Sequence, residues 1–399
     1  MSAMTRSISV VHGGISMTNL LTVEAHNASM QEYVHVGTES ALALGNRGPI
    51  RFDANGKLAA DILDAYWRHG FYVFEGLIEA AEIELLRRDY AGILDRSPID
   101  NYAEVDAKGR PALGVDMARQ PFSLIRPLSD PWGGTERNNG RHPAQMAQPQ
   151  PSESAPAKVP FLIGSMCQLS EAALRLYGHA DLLSIAEAIN GEDFVPFNDA
   201  VFVKQAHLGG SVAWHQDGVT HWQADNWDEG IHGFNFQVQL YECTAYNCLW
   251  VIPGTHKLGK ADIKQQVRDN GGSERLPGAM PLLCQPGDVT IVNRQALHCS
   301  FANTSPNLRI SVTFGFHRRS SVLGARGALT QDETIRYDEA RVFERSSVIQ
   351  LAIDARSIFY PHGRRFVYQP FAECEDDFRD TPETRERVLT DYTLKDLSI

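Results

Sequence analysis

Phe234-Asn235-Phe236-Gln237-Val238-Gln239-Leu240 alternates strictly, and so does Leu308-Arg309-Ile310-Ser311-Val312-Thr313-Phe314-Gly315-Phe316-His317. Successive side chains of an extended chain point to opposite faces. Each stretch therefore predicts a strand with an apolar face of Phe, Val, Leu and Ile, and an opposite face of small, amide or cationic groups: Asn235, Gln237 and Gln239 in one, Arg309, Ser311, Thr313 and Gly315 in the other. The period of two runs from Val195 to about Phe316. It fits a β-sandwich or barrel whose lumen holds something polar; alternation alone fits a solvent-facing sheet equally well.

Upstream the period changes. Leu58, Ile62, Leu63, Tyr66 and Trp67 recur at helical spacing, Gly70 to Phe74 alternates briefly, and Ile83 to Ile93 is helical again, so a helix-strand-helix opening is expected. Residues 1–50 carry weak periodicity and read as a partly ordered N-terminal extension. Ten prolines interrupt residues 97–160, which are expected to form either a lid over a substrate or a floppy insertion. Ser170–Asn190 predicts one helix, N-capped by Ser170 and closed by Gly191. Residues 51–324 are read as the catalytic domain, with 325–399 a helical C-terminal segment packed on it. No internal repeat is evident.

The 399 residues are 43% hydrophobic and 22% charged, enough apolar material for a large core. A formal charge of -12 disfavours nucleic acid and anionic membranes as partners. No stretch approaches the roughly 18 to 20 apolar residues of a bilayer-spanning helix, and the N-terminus lacks signal-peptide character. Six cysteines without a CxxC pair suit free thiols in a reducing compartment. The expectation is a soluble, cytoplasmic protein acting on a small molecule.

The chemistry concentrates in Trp214-His215-Gln216-Asp217, at the end of the alternating stretch from Ala200. On an extended backbone His215 and Asp217 point the same way and can share a metal. A second HxD, His179-Ala180-Asp181, falls in the expected helix, where residues two apart diverge by about 200° and cannot easily grip one ion. His298, at the end of the run from Val289, offers a third ligand; Ser300 shares its face, and Arg309 opens the next polar face. Two histidines and one carboxylate leave three positions of an iron free, the ligand set of non-haem Fe(II) oxygenases. A 2-oxo acid fills two and O2 the third. The far carboxylate of 2-oxoglutarate needs a rigid cationic fork, matched by Arg309 with a hydroxyl such as Ser300.

These motifs, with Asn247-Cys248-Leu249-Trp250-Val251-Ile252-Pro253-Gly254-Thr255-His256-Lys257 and Pro286-Gly287-Asp288-Val289, resemble the phytanoyl-CoA dioxygenase (PhyH) family of Fe(II)- and 2-oxoglutarate-dependent oxygenases over about residues 60–320. The resemblance implies a mainly β fold with flanking α: a double-stranded β-helix (jelly roll, cupin-like) core with helices packed outside. It implies iron on His215, Asp217 and His298, and 2-oxoglutarate on Arg309 and Ser300, with Lys204 and Gln216 also near the cofactor. It implies hydroxylation of an unactivated C–H with release of succinate and CO2. Halogenating relatives lack the carboxylate that Asp217 retains, so return of hydroxyl is expected.

Ectoine hydroxylase-like relatives carry tryptophan six residues after the first histidine; here His221 stands there, followed by Trp222. His221, Trp222, Arg294 and Tyr360 are candidates to line a substrate pocket. Lys257, Lys260, Arg318 and Arg319 are either cations for the phosphates of a CoA thioester or ordinary solvated charges. Residues 97–160 and 325–399 are the places for a lid or a homodimer contact. Two rival readings remain: a cupin-like binding or isomerase module, for which Arg309 is dispensable, and a hydrolytic zinc site acting without dioxygen.

Overall fold

Both alternating stretches are strands, and they are neighbours. The computed structural model describes residues 21–327 and 334–397. Its strands in chain order are β1 (Arg47–Gly48), β2 (Phe71–Phe74), β3 (Phe122–Ile125), β4 (Val159–Gly164), β5 (Val195–Lys204), β6 (Val212–His215), β7 (Gly233–Gln239), β8 (Trp250–Val251), β9 (Met280–Pro281), β10 (Val289–Asn293), β11 (His298–Ser300) and β12 (Arg309–His317). One sheet runs β1-β2-β10-β7-β12-β5-β4-β3, the other β6-β11-β8-β9. Antiparallel register sets Arg309 opposite Lys204, and Ser311 and Thr313 opposite Gln239 and Gln237.

That register aligns the polar residues of β7 and β12 on one face. The other face carries Phe234, Phe236, Val238, Ile310, Val312, Phe314 and Phe316, all buried in one large cluster with helical residues such as Leu174, Leu182 and Ile349. Tyr177 packs on Phe314 with ring centroids 5.1 Å apart. Helices thus cover the apolar face, and the polar face turns toward the second sheet across a cavity lined from both. The solvent-facing alternative is excluded by this packing: Gln237, Gln239, Ser311 and Thr313 are buried.

Helix-strand-helix opens the core as expected, with Ala60–His69, β2 and Ala80–Asp95. More residues stand in α-helices than in strands, so "mainly β" is corrected to a mixed sheet-and-helix fold. Part of the excess is Val23–Leu44, a helix inside the weakly periodic N-terminal stretch. Its buried residues are only His26, Met30 and Gly37, too sparse to leave a period in the sequence. Tyr33 nonetheless stacks on Trp250 of β8 at 4.7 Å. Residues 1–20 of that stretch lie outside the described residues.

Ser170–Asn190 is two helices, Glu171–Tyr177 and Ala180–Asn190, which corrects the single-helix expectation. The chain breaks at Gly178 because helix Glu339–Phe359 lies against it: a Cβ there would stand 2.3 Å from the Ala352 carbonyl oxygen. His179 consequently caps the second helix, accepting from the Asp181 amide at 3.2 Å. Ser170 caps the first, as expected.

The Pro-rich stretch supplies β3 and β4 at the edge of the larger sheet. Between them a loop is closed by Asp130, whose carboxylate accepts from the amides of Trp132 (3.2 Å), Gly133 (2.9 Å) and Met146 (2.8 Å). Only glycine fits at 133, where a Cβ would meet the Asp130 carboxylate at 1.8 Å. No helix among the described residues is long and apolar enough to cross a membrane.

Candidate metal centre

The two runs that end in histidine each change sheets before they reach it. Val195–Lys204 ends in the larger sheet, and Val212–His215 begins in the smaller after Gly209-Gly210. Val289–Asn293 likewise stays in the larger sheet while His298–Ser300 pairs with β6. The expectation of continuous strands is corrected at both places. The consequence is that His215 and His298 stand directly opposite each other in register, with ring centroids 4.1 Å apart. Directly opposed residues of an antiparallel pair have neighbouring Cβ atoms.

Asp217 lies just past the end of β6. Its amide donates to the Arg294 carbonyl at 2.7 Å, and Gly218 follows at φ 80°, a turn that glycine accepts without strain. The carboxylate comes within 3.6 Å of His215 Nε2 and 3.9 Å of His298 Nε2. The three candidate ligand atoms all lie within 4.8 Å of one another, and all three residues are buried.

Hydrogen bonds fix both imidazoles for metal binding. His215 Nδ1 is 2.8 Å from the Ala213 carbonyl, and His298 Nδ1 is 2.8 Å from the Ala296 carbonyl. A carbonyl only accepts, so each Nδ1 carries the proton and each Nε2 presents a lone pair beside Asp217. Burial holds the His215 imidazole well below its ordinary pKa, with His298 adding to the effect, and burial likewise lowers His298 against the opposing pull of Asp217. Burial alone would raise the Asp217 carboxyl, but Arg141, with His215, Arg294 and His298 adding to it, holds it far below the carboxylate range. Two neutral imidazoles and one carboxylate are therefore poised for a divalent cation without prior loss of a proton.

Arg309 and Ser300 line the same cavity. Arg309 Nε donates to Ser311 Oγ (2.7 Å), Nη1 to the Asn247 carbonyl (3.1 Å) and Nη2 to Gln237 Oε1 (2.9 Å). A guanidinium has five N–H donors, so these neutral acceptors orient the fork and leave donors for a carboxylate. Lys204 does not line the cavity: its Nζ donates to the Phe301 carbonyl. Gln216 also turns away, donating to the Gly259 and Gln295 carbonyls and accepting from the Ala261 amide.

Of the substrate candidates only Arg294 lines this cavity; its guanidinium stacks over Phe197 at 4.0 Å. His221 instead stacks on His232 at 4.2 Å and bonds the Ser321 carbonyl. Trp222 belongs to an adjacent pocket with Lys260, whose ammonium sits 3.9 Å above its ring. Arg318 lies near His232, its amide bonded to that residue's carbonyl, and Tyr360 lines a separate groove.

Three contributors have no motif to announce them. Arg141 pairs with Asp217 at 2.9 Å, Asn235 donates to the other carboxylate oxygen at 2.9 Å, and His142 packs its ring 4.3 Å from His215. Asn235 was legible as a member of the polar face. Arg141 and His142 follow the turn cluster Asn138-Asn139-Gly140, which signals a loop but not where that loop docks.

A family model described as phytanoyl-CoA dioxygenase (PhyH) matches residues 66–311. Phytanoyl-CoA dioxygenase 1 of Oryza sativa subsp. japonica is 30% identical over 112 residues, 26% of this chain and 37% of that protein. The chain thus matches little more than a third of that relative's length. Ectoine dioxygenase of Halomonas elongata is 23% identical over 294 residues, 67% of this chain and 73% of that protein. Among solved structures, EctD from S. alaskensis with 2-oxoglutarate and 5-hydroxyectoine aligns with a TM-score of 0.48 at 17% identity, covering 72% of this chain and 84% of that one.

Proposed function

The chain belongs to the phytanoyl-CoA dioxygenase family of iron- and 2-oxoglutarate-dependent oxygenases, and from that premise we propose that it hydroxylates an unactivated C–H bond of a small-molecule metabolite, releasing succinate and CO2. The observation that carries this reading is the pair of backbone-locked imidazoles flanking one carboxylate. His215 Nε2, His298 Nε2 and Asp217 would hold the iron on one face, and iron with 2-oxoglutarate and O2 supplies the oxidising power that breaks the C–H bond.

The chain's own part is to orient and to exclude water. Arg309, held by Ser311, Gln237 and the Asn247 carbonyl, grips the distal carboxylate of 2-oxoglutarate, with the Ser300 hydroxyl beside it. Lys204 and Gln216 act at one remove, bracing the backbone at Phe301 and at residues 259–261 and 295. Trp132, Leu162, Phe197 and Phe202 wall the cavity with apolar surface that keeps bulk water from the reacting carbon. In this reading the two sheets are a jelly roll, residues 51–324 the catalytic unit and 325–399 a segment packed on it. Retention of Asp217 favours hydroxyl return over halogen transfer.

The test is anaerobic addition of ferrous iron and 2-oxoglutarate. A weak visible charge-transfer band is expected, fading on admission of air with formation of succinate. Arg309→Ala should weaken 2-oxoglutarate binding about tenfold to a hundredfold, the loss of a charge-assisted pair. A chain that forms no band, or an Arg309→Ala variant with unaltered affinity, refutes the assignment.

A further inference from the structure

Arg141 stands at the junction of two cavities: it lines the metal-centre cavity and also the adjacent pocket that holds Trp222 and Lys260. Among the described residues its one ion pair is to Asp217 Oδ1 at 2.9 Å, and its Nε is buried without a hydrogen-bond partner. The loop that carries it is clamped at its base by the three amide bonds to Asp130, and Trp132 and His142 of the same loop pack with ring centroids 5.2 Å apart. A long cationic side chain is thus fixed at the metal centre with its buried Nε–H unspent.

Charge balance makes that arrangement informative, granted the iron and 2-oxoglutarate reading above, on which this step rests. The charges of ferrous iron and 2-oxoglutarate cancel, Arg309 offsets Asp217, and the buried Arg294, 4.0 Å from Asp217 and stacked over Phe197, adds a further positive charge to the same cavity. The Arg141 guanidinium is then in excess, because its carboxylate partner among the described residues would be claimed by the metal. A guanidinium only 14% exposed and facing a competing dication is costly unless an anion neutralises it. We propose that Arg141 is the specificity-determining anchor for an oxyanion, a carboxylate or phosphate, carried by the molecule that is oxidised. The oxyanion would lie between the two cavities, with the reacting carbon on the iron side and Trp222 and Lys260 available to whatever extends outward. Arg141 acts through binding and takes no proton in the reaction.

The experiment uses the full chain loaded anaerobically with ferrous iron and 2-oxoglutarate. Its probes are a panel of small carboxylic acids and phosphate monoesters, each paired with the neutral amide or alcohol of the same skeleton. Binding is read without turnover, as perturbation of the charge-transfer band, and then by stimulated succinate release. Anions should bind more tightly than their neutral partners, and which arm responds distinguishes carboxylate from phosphate. Arg141→Met should weaken the responding anion about tenfold to a hundredfold while leaving its neutral partner where it was, so that the two converge; Arg141→Lys should restore part of the difference.

If neutral members bind as well as anions, or no anion perturbs the band at millimolar concentration, the anchor is refuted and the oxygenase reading stands. If Arg141→Met lowers iron affinity and shifts anion and neutral partner together, Arg141 is a positioning residue for Asp217 and the proposal is wrong. If the wild-type chain forms no band, the metal reading fails first and this inference falls with it.

Discussion

Two sites in this chain bury arginine, and they treat its charge in opposite ways. On the helical side of the larger sheet, Arg345 is fully buried and meets two carboxylates, Asp199 Oδ2 at 3.3 Å and Asp396 Oδ1 at 2.9 Å, with the Tyr392 ring 4.9 Å from its guanidinium carbon. On the cavity side Arg309 is met by a hydroxyl, a carbonyl and an amide oxygen, while Arg294 at 4.0 Å and the partly exposed Arg141 at 2.9 Å share one carboxylate that also faces both candidate-ligand histidines. The boundary between the two environments is one residue wide. Asn198 lines the cavity, and its neighbour on β5, Asp199, turns to Arg345. Two carboxylates on Arg345 fasten the C-terminal segment to the sheet; neutral acceptors orient Arg309 and leave it donors to spare.

The sharpest way to break this contrast is to delete the shared carboxylate. Asp217→Ala should abolish stoichiometric iron binding and reduce turnover to background, measured by metal titration and succinate release, while unfolding stays cooperative. Arg345→Met should do the reverse. Leaving Asp199 and Asp396 buried without their cation should cost about 3 to 5 kcal/mol of stability by chemical denaturation, and adding Asp199→Asn and Asp396→Asn should recover part of it. Iron affinity of the Arg345→Met protein should match wild type under conditions where both are folded. Equal damage to iron binding in the two variants would erase the distinction between fastening and waiting charge.

A smaller effect is expected one contact away from the metal. Asn235→Ala removes the donor to Asp217 Oδ2, and loss of such an outer partner should weaken iron about tenfold to a hundredfold. Smaller again per residue is the acid response of the scaffold. His256, wedged against Gly70 and Gly230 and bonded to the Trp67 carbonyl, is lowered to about 4 chiefly by burial. A depressed histidine stabilises the fold above the unfolded value near 6.5, and that contribution is lost as pH falls toward the folded value, because the unfolded chain takes up the proton first. Unfolding free energies should fall as pH drops below about 6.5, with a slope from this imidazole that approaches about 1.4 kcal/mol per pH unit near pH 5 and that His256→Gln removes.

How far the sequence carried this picture follows from the range of each signal. Alternation in β7 and β12, the His215, Asp217 and His298 set and Arg309 are local patterns, and they meet around one cavity, Arg309 from the larger sheet and the histidines from the smaller. What parity cannot convey is a change of sheet inside a run. Gly209-Gly210 and Arg294–Leu297 fall inside runs that read as continuous, yet there the backbone crosses between sheets and brings the two histidines into register. Nor does a sequence say where an irregular loop docks. The position of Arg141 depends on Asp130 clamping a loop whose ends lie far from β6 in the chain. His221 lies outside this cavity for the complementary reason: it follows His215 by six residues, but after the turn at Gly218 it stacks with His232.

The least disruptive probe of the waiting charge is Ser311→Ala. Ser311 Oγ accepts from Arg309 Nε at 2.7 Å and donates to Gln239, so it sets the plane of the guanidinium without touching any ligand itself. Alanine keeps the strand, since the neighbouring register with Gln239 is carried by backbone bonds. The guanidinium retains its Gln237 and Asn247 partners and its charge, and what it loses is one orienting bond. Such a bond contributes about 0.5 to 1.5 kcal/mol, so 2-oxoglutarate affinity should fall about threefold to tenfold, with iron affinity and thermal stability little changed. If Arg309 instead needed a carboxylate to hold it, as Arg345 does, the loss of one hydroxyl would release the side chain and 2-oxoglutarate affinity would collapse as in Arg309→Ala. A graded loss in Ser311→Ala beside a large one in Arg309→Ala is the pattern that neutral orientation of a ligand-bound cation requires.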